Sequence, residues 1–318
     1  MPTPDGLREV GDIGVTLLLF SVGLKLDLRL LARREVGVTA LVHMVVAVCS
    51  LALLLFVGSL MPWGPLSGAA MPQVLLLSFA LSFSSTVLVV KALEEAGRSG
   101  SFHGRIAVGI LVVQDVVAVV FMVVAEGQLP SWWAILLLLL FPARRLLTRL
   151  VEECHHPEVQ MLAGLALSLG LGYLLFDAVG IKGDLGALVI GVLLRESSAA
   201  DALARRLDPL KDLLLVAFFM AIGLSGVPNV DHLLLALGLL LVLPVKGWGF
   251  ARLLRRAGVD RRVMGRAGLS LANYSEFGLI VAAVAVDHGW LSEDWLVGMA
   301  VVVACGFIVS SAVQRSPR

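Results

Sequence analysis

Three ionisable side chains lie deep within apolar segments of this 318-residue chain and are its strongest candidates for chemistry. Asp115 follows Arg105 by about ten residues, which at roughly 1.5 Å per residue places it near the middle of a hydrocarbon core. Glu276 and Lys246 lie at comparable depth in later apolar segments. A charge at that depth costs at least about 2.5 to 3.5 kcal/mol, so it normally marks an ion or proton pathway.

A buried carboxylate such as Asp115 can bind either a proton or a cation. Two mutually exclusive occupants of one site are sufficient for exchange; the alternative is a structural carboxylate hydrogen-bonded to a neighbour. Lys246 could pair with Asp115 or Glu276 until an ion displaces it, or it could form a fixed ion pair that braces the core. Gln114 could contact the ion or brace its helix.

The composition requires a lipid environment. The chain is 58% hydrophobic and 15% charged, with a mean hydropathy of +0.94, and a soluble core cannot bury that much apolar surface. A helical span needs roughly 20 apolar residues, and long unbroken apolar runs favour helices over a barrel. The predicted spans lie near residues 10–26, 36–58, 72–92, 105–125, 131–149, 159–177, 181–195, 211–226, 232–252, 264–287 and 294–313.

The distribution of charge predicts the orientation of these spans. A net charge of +1 conceals a strong asymmetry, because basic residues cluster in every second loop and at the C-terminus. The positive-inside rule then places those loops and the C-terminus in the cytoplasm and the N-terminus outside. The basic clusters lie within residues 25–34, 91–105, 144–149, 195–211 and 252–266. We therefore expect a multi-pass protein of the cell (inner) membrane.

Two groups of three spans, within residues 36–125 and 232–313, run in opposite orientations under this topology. Polar residues interrupt the middle span of each triplet, and paired interruptions of this kind are typical of transporters with inverted repeats. The interruptions comprise Ser82, Ser84, Ser85 and Thr86 in one span, and Ser270, Asn273, Tyr274, Ser275 and Glu276 in the other. We interpret the two triplets as an ion-carrying core and residues 1–35 and 159–226 as a scaffold or dimer part.

An unwound helix within a bilayer leaves backbone groups that hydroxyls, ions or water must pair. Opposed half-helix ends also present partial charges that can hold an ion. The alternative is that the serines and threonine bond back to their own helix. The predicted ion and proton site consists of Asp115, Gln114, Ser84, Ser85, Thr86, Asn273, Glu276 and Lys246.

Other classes of function have weaker support. Glu153-Cys154-His155-His156 lies in a charged loop and is interpreted as solvated rather than metal-binding. Gly223-Leu224-Ser225-Gly226 fits the short motif around the nucleophile of rhomboid proteases, with His232 or His288 as a conceivable base, but we interpret it as a helix end. An uncoupled channel or a sensor is a further alternative. Asp184, at the outer end of its span, is interpreted as an interface residue.

Several segments together resemble the Kef-type branch of the monovalent cation:proton antiporters. Residues 82–90 and 108–115, which end in the Gln114-Asp115 pair, carry the most specific likeness. The resemblance covers nearly the whole chain, through residues 17–24, 186–194, 218–224 and 275–277. It implies a sodium/proton-antiporter-like fold with inverted repeats and two broken, crossed helices, a homodimer of scaffold and moving core, and alternating access in which Asp115 carries cation and proton in turn.

The resemblance also implies differences from the usual pattern. Members usually have thirteen spans, so we expect the first two to be missing here, and we expect no nucleotide-binding regulatory domain after Arg318. Asn273 and Tyr274 replace a Gln-Gly-rich run. Electrogenic relatives carry paired aspartates where this chain has Gln114-Asp115, which favours exchange of one cation for one proton.

We therefore predict an all-α membrane exchanger of K⁺ or Na⁺ for H⁺ that is not an enzyme. Its expected partners are these ions, the lipid bilayer, a second copy of the chain and a possible separate regulatory subunit. No cofactor, bound metal or nucleic acid is expected.

Overall fold

A computed structural model describes residues 4–26, 34–62, 64–85, 89, 102–127, 131–154, 156–256 and 273–315. Throughout these ranges the chain forms helices joined by turns and short loops, with no β-strand. The elements are α1 (Pro4–Lys25), α2 (Arg34–Ser59), α3 (Met71–Ser82), α4 (Phe102–Glu126), a 3₁₀ helix (Trp132–Leu139) that continues into α5 (Leu140–Glu152), α6 (Pro157–Ala178, π-helical over Ala166–Leu174), α7 (Gly183–Leu194), α8 (Ala200–Leu224), α9 (Val230–Arg256), α10 (Glu276–Asp287) and α11 (Glu293–Arg315).

This architecture confirms the predicted all-α class, and every predicted span overlaps one of the helices. Among the described residues, four helical segments are long and apolar enough to cross a bilayer by themselves: Val36–Ser59, Val108–Glu126, Pro157–Ala178 and Val230–Gly249. Large apolar side chains project outward from such helices; Leu53 is 66% exposed and Leu241 is 73% exposed. Such apolar outer faces are those of a membrane protein.

The chain divides into two compact units. The first unit comprises Met1–Asp27 and Met122–Leu224, and its centre is α1, which packs against α7 and α8. Gly23 on α1 and Gly191 on α7 allow this approach, because a Cβ on Gly23 would lie 2.4 Å from the Leu188 carbonyl oxygen. Small residues commonly provide close contacts between membrane helices.

An ion pair joins α1 to α8 within the first unit. Asp208, which precedes the predicted span beginning at residue 211, lies 3.1 Å from Lys25 and 3.0 Å from Lys211. Burial alone would raise the pKa of the Asp208 carboxyl, but the two ammonium groups hold that pKa below its usual value. The carboxylate is therefore ionised at neutral pH.

The second unit comprises Leu28–Phe121 and Ser225–Arg318. In it α2 packs on α3, α9 on α11, and α10 on both α3 and α11. The contact between α3 and α10 is especially close, because a Cβ on Gly278 would lie 2.3 Å from the Ala80 carbonyl oxygen. Gly278 thus lets α3 and α10 approach each other close to the non-helical residues 83–85 and 273–275.

The α3 helix ends, and the α10 helix begins, at the two predicted interruptions. The α3 helix ends at Ser82, and residues 83–85 leave the helical conformation, with Phe83 at φ −66° and ψ 148°. The α10 helix begins at Glu276, after residues 273–275, with Ser275 at φ −98° and ψ 151°. Two members of the predicted interruptions, Thr86 and Ser270, lie outside the described residues.

We expect Gly278→Ala to separate α3 from α10 and to destabilise the protein by about 1 to 3 kcal/mol, as overpacking does. Gly238→Ala is the matched control, because nothing lies within 4 Å of a Cβ at that position of α9. Thermal unfolding of the detergent-purified variants measures the difference. Equal stabilities for the two variants would show that the Ala80 contact does not constrain the fold.

Candidate functional site

Side-chain amides from two other segments pair the backbone N–H groups that the end of α3 leaves free. The Ser84 N–H donates to Gln114 Oε1 at 3.1 Å, and the Ser85 N–H donates to Asn273 Oδ1 at 3.1 Å. Gln114 and Asn273 are fully buried. The second contact joins the two interruptions directly, since Asn273 belongs to the segment before α10. Buried amides thus replace the helical hydrogen bonds that the interruption removes.

Lys246 on α9 pairs the carbonyl groups at the same place. Its ammonium donates to the carbonyl oxygens of Leu81 at 3.0 Å, Phe83 at 2.7 Å and Asn273 at 3.1 Å. Two of these acceptors lie at the C-terminal end of α3, where helix carbonyls lack intrahelical partners and the helix dipole is negative. The three donor hydrogens of the ammonium match the three carbonyls.

This arrangement corrects the prediction for Lys246. The sequence suggested an ion pair with Asp115 or Glu276, but within the described residues no carboxylate lies at ion-pair distance from Lys246. The ammonium binds backbone carbonyls instead, because the ends of two interrupted segments concentrate unpaired oxygens beside it. Lys246 therefore braces the interruptions.

Two residues that the site prediction did not include surround Lys246. The ring of Tyr274 lies 5.0 Å from its ammonium, and the Tyr274 hydroxyl donates to the Leu239 carbonyl on α9 at 2.8 Å. His43 on α2 is 3% exposed and lies within electrostatic range of the Lys246 ammonium. A histidine inside an otherwise apolar span was the sequence signal for His43.

The N-terminus of α10 is capped locally. The Ser275 hydroxyl oxygen accepts from the Phe277 N–H at 3.2 Å, which is an N-cap hydrogen bond. Glu276 follows in the first turn and is 7% exposed. A carboxylate is favourable there because the helix dipole is positive at its N-terminus. Glu276 thus offsets the partial positive charge at the N-terminus of α10, and Lys246 offsets the partial negative charge at the C-terminus of α3.

Asp115 lies on α4 directly after Gln114 and is 4% exposed. Its helix is therefore attached to the first interruption through the hydrogen bond from the Ser84 N–H to the Gln114 amide. The structure places this carboxylate in the interior of the second unit. The sequence places Asp115 near the middle of the hydrocarbon core, and this depth in the membrane stays a prediction.

Four buried polar atoms around the interruptions have no hydrogen-bond partner among the described residues: Ser84 Oγ, Ser85 Oγ, Gln114 Nε2 and Asn273 Nδ2. Buried polar atoms are normally paired, so such a group indicates a functional role or a binding partner. Ser82 differs, because its hydroxyl donates to the Phe79 carbonyl at 2.7 Å, which is the back-bonding alternative.

The structure thus brings together five predicted site residues through hydrogen bonds: Gln114, Ser84, Ser85, Asn273 and Lys246. Glu276 follows the second interruption, and Asp115 neighbours Gln114 on α4. Thr86 lies outside the described residues. In the part of the chain that the structure describes, no three His, Cys, Asp or Glu side chains are arranged to hold a metal ion. The Cys154 thiol instead donates to the Leu150 carbonyl at 3.1 Å.

We expect Lys246→Met to lower the free energy of unfolding by about 3 kcal/mol or more, because three buried carbonyls would lose a charged donor. Lys246→Gln keeps a donor group and should lose less. Lys25→Met is the matched control, since Lys25 is half-exposed and such pairs contribute about 0 to 1 kcal/mol. Thermal unfolding in detergent tests this, and a Lys246→Met protein as stable as Lys25→Met would contradict the bracing role.

Comparison with known proteins agrees with this architecture. The family model described as the transmembrane part of sodium/hydrogen exchangers matches residues 2–314. The chain is 31% identical to the glutathione-regulated potassium-efflux system protein KefC of Cronobacter sakazakii, over 95% of this chain and 52% of that protein. It is 29% identical to the chloroplastic K(+) efflux antiporter 1 of Arabidopsis thaliana, over 91% of this chain and 26% of that protein.

A third relative is the putative cation/proton antiporter YbaL of Escherichia coli K12, which is 26% identical over 90% of this chain and 55% of that protein. The chain therefore spans about half the length of these bacterial relatives. The resemblance to the Kef-type branch is confirmed, and the match of the family model extends over nearly all of the described helices. The chain belongs to the sodium/hydrogen exchanger family and carries its transmembrane part.

Proposed function

We propose that this chain exchanges a monovalent cation for a proton, with the Asp115 carboxyl group as the site that each occupies in turn. The observation that carries the proposal is the position of Asp115: a buried carboxylate beside Gln114, whose amide binds the interrupted end of α3. A carboxylate kept from water is costly unless a proton or a cation neutralises it. Each occupant therefore excludes the other, which couples their movements.

The atoms around the interruptions suit a dehydrated monovalent cation. Hydroxyl, amide and carboxylate oxygens are hard ligands, and the Ser84 and Ser85 hydroxyls have no hydrogen-bond partner among the described residues. The side-chain amides of Gln114 and Asn273 already pair the Ser84 and Ser85 N–H groups. The two serine hydroxyl oxygens are therefore available to an ion without further unwinding of the chain. We assign Thr86 to the same site from the sequence alone.

The charge balance favours exchange of one cation for one proton. Asp115 changes occupant, whereas the Lys246 ammonium has its donors directed to three carbonyl oxygens and serves as a fixed positive charge. Glu276 lies in the first turn of α10 and offsets the partial positive charge at that helix N-terminus. With one titrating carboxylate, one positive charge moves in each direction.

Potassium is the more strongly supported cation. Two of the three relatives described above carry potassium efflux in their names, while the family description names sodium. We therefore propose K⁺/H⁺ exchange, with Na⁺ as the second candidate.

The arrangement in the membrane follows from the charge pattern. We propose an inner-membrane protein with the N-terminus outside and the C-terminus in the cytoplasm, since basic residues cluster in alternate loops. We assign the ion-carrying triplets to the second unit and the scaffold to the first. A homodimer and a separate regulatory subunit are part of this proposal through the Kef resemblance.

An intramembrane hydrolase is a poorer fit. The candidate motif marks the end of a helix, because α8 ends at Leu224 and Ser225 follows it. His232 is engaged elsewhere: its Nδ1 accepts from the Asn229 N–H at 3.2 Å, and its Nε2 lies 3.3 Å from Asp294. The His288 Nδ1 lies 2.8 Å from the Val284 carbonyl. We therefore propose a transporter without enzymatic activity.

The decisive variant is Asp115→Asn, which keeps the shape of the side chain and removes its ability to bind a proton or balance a cation. A pH-sensitive dye in proteoliposomes reports proton movement when K⁺ or Na⁺ is added against a preset proton gradient. We expect cation-driven proton movement in the wild type and only the rate of protein-free liposomes in the variant. The more effective cation identifies the substrate.

The control is Asp201→Asn, which removes an exposed carboxylate on α8 whose ion pair with Arg195 is at the surface. This variant should exchange at the wild-type rate. Wild-type exchange by Asp115→Asn would overturn the assignment of Asp115, whereas passage of the cation without proton movement would favour an uncoupled channel.

One-for-one exchange also predicts that membrane potential does not drive transport. Moving one net charge across a potential of 100 mV changes the free energy by about 2.3 kcal/mol, so an electrogenic exchanger would respond strongly. We expect the initial rate of wild-type exchange to be the same with and without a potential imposed by a thiocyanate gradient. A rate that follows the sign of the potential would show that a second charge moves.

A further inference from the structure

The outer face of α5, in the first unit, carries basic and apolar side chains together. The helix continues directly from the 3₁₀ helix Trp132–Leu139, in which no side chain is buried. An exposed apolar segment of this kind faces lipid tails. Arg144 and Arg145 follow within about two helical turns of Leu139. So short a passage from apolar to basic residues is typical of the boundary between the hydrocarbon and the lipid headgroups.

Contacts on its inner side and at its C-terminal end hold α5 in one orientation. Leu147 and Val151 are buried in the apolar core of the first unit. The Glu152 carboxylate accepts from the Ser198 N–H at 2.9 Å and from the Ser197 and Ser198 hydroxyls at 3.0 Å, which ties the end of α5 to the loop before α8. The face of α5 opposite to Leu147 and Val151 is therefore a fixed surface.

That outer face consists of two adjacent rows of side chains. Arg145 and Arg149 are both exposed and lie one turn apart, a spacing at which Cβ atoms are about 5 to 6 Å apart. Leu146 and Leu150 follow them one residue further along and are 61% and 47% exposed. Phe141 precedes Arg145 by one turn and is also exposed. Two positive charges thus lie beside exposed hydrocarbon.

The positive charge of this face is not balanced within the described part of the chain. Arg144 pairs with Glu196 at 3.2 Å. No carboxylate of a described residue lies at ion-pair distance from Arg145 or Arg149, and this includes Glu153, one turn beyond Arg149. A partner for this face must therefore supply negative charge.

The chemistry of the two rows selects the class of partner. A phosphodiester carries one negative charge, and its oxygens match the paired N–H groups of a guanidinium. A water-soluble anion would satisfy the arginines but leave the leucines exposed, whereas a lipid without net charge would cover the leucines but leave the positive charge unbalanced. Helices that combine basic and apolar side chains in this way bind the surface of anionic membranes.

We propose that the outer face of α5 is a binding site for an anionic phospholipid. Arg145 and Arg149 bind its phosphodiester group, and Phe141, Leu146 and Leu150 contact its acyl chains. The inner contacts of α5 position the two arginines before the lipid arrives. The site belongs to the first unit and does not depend on the exchange proposed for Asp115.

Thermal unfolding of the detergent-purified chain tests the site when lipid is added to the micelles. Phosphatidylglycerol should stabilise the wild type at a lower mole fraction than phosphatidylcholine with the same acyl chains. Arg145→Gln and Arg149→Gln should each raise the phosphatidylglycerol fraction needed for half of the effect by about fivefold, which corresponds to the usual contribution of one basic residue at an anionic surface. Neither variant should alter the response to phosphatidylcholine.

The matched control is Arg205→Gln. Arg205 is an exposed arginine of α8 in the same unit, but Asp201 and Pro209 lie one turn to either side of it instead of apolar side chains. This variant should respond to phosphatidylglycerol as the wild type does. A loss of response equal to that of Arg145→Gln would show a general effect of charge and would overturn the proposal.

Two further measurements separate the headgroup from the acyl chains. Replacing both Leu146 and Leu150 with glutamine keeps the arginines, and it should weaken stabilisation by both lipids. The soluble headgroup glycerophosphoglycerol should not stabilise the wild type at the concentrations at which the lipid does. Equal stabilisation by this headgroup, or a wild type that does not distinguish phosphatidylglycerol from phosphatidylcholine, would overturn the assignment of this face to an anionic lipid.

Discussion

The structure of the second unit depends on one constraint: a helix that stops inside a membrane must have its free backbone groups paired by other parts of the protein. Residues 83–85 follow the end of α3, residues 273–275 precede the start of α10, and a hydrogen bond from the Ser85 N–H to Asn273 joins the two segments. Lys246 pairs the carbonyls on both sides, while Gln114 and Asn273 pair the amides. Without these partners each unpaired group would cost several kcal/mol in lipid.

This pairing explains why the candidate ion site is built from several helices. The helix that carries Asp115 is joined to the first interruption by Gln114, and α9 is joined to both interruptions by Lys246 and to the second by Tyr274. A movement of any one of these helices would therefore change the geometry of the interruptions. Such coupling is what alternating access requires of an ion site.

The two units have different internal chemistry. Glycines that meet backbone carbonyls hold α1 against α7, and polar contacts at Asp184 and Asp208 supplement them. In the second unit the polar contacts lie at the interruptions, where they replace helical hydrogen bonds. Polar groups within the first unit thus connect neighbouring helices, whereas those within the second unit pair the backbone groups where α3 ends and before α10 begins.

Local sequence features predicted much of this protein. Apolar length located the helices, because a span must be long and must satisfy its own backbone. Clustered serines, and Asn273 with Ser275, located the interruptions, because these side chains compete with helical hydrogen bonds. The depth of Asp115 in the membrane, counted from Arg105 at a constant rise, stays a prediction. Each of these depends on a short stretch of chain.

The partners of the polar residues were decided only by the tertiary structure. Asn273 and Ser85 are 188 residues apart, and no pattern along the chain indicates that they meet. The prediction for Lys246 failed for the same reason: the sequence shows charged side chains and invites ion pairs, but it does not show which backbone carbonyls lack a partner. That depends on where two helices end relative to each other, which Gly278 and Ala80 determine by their close contact.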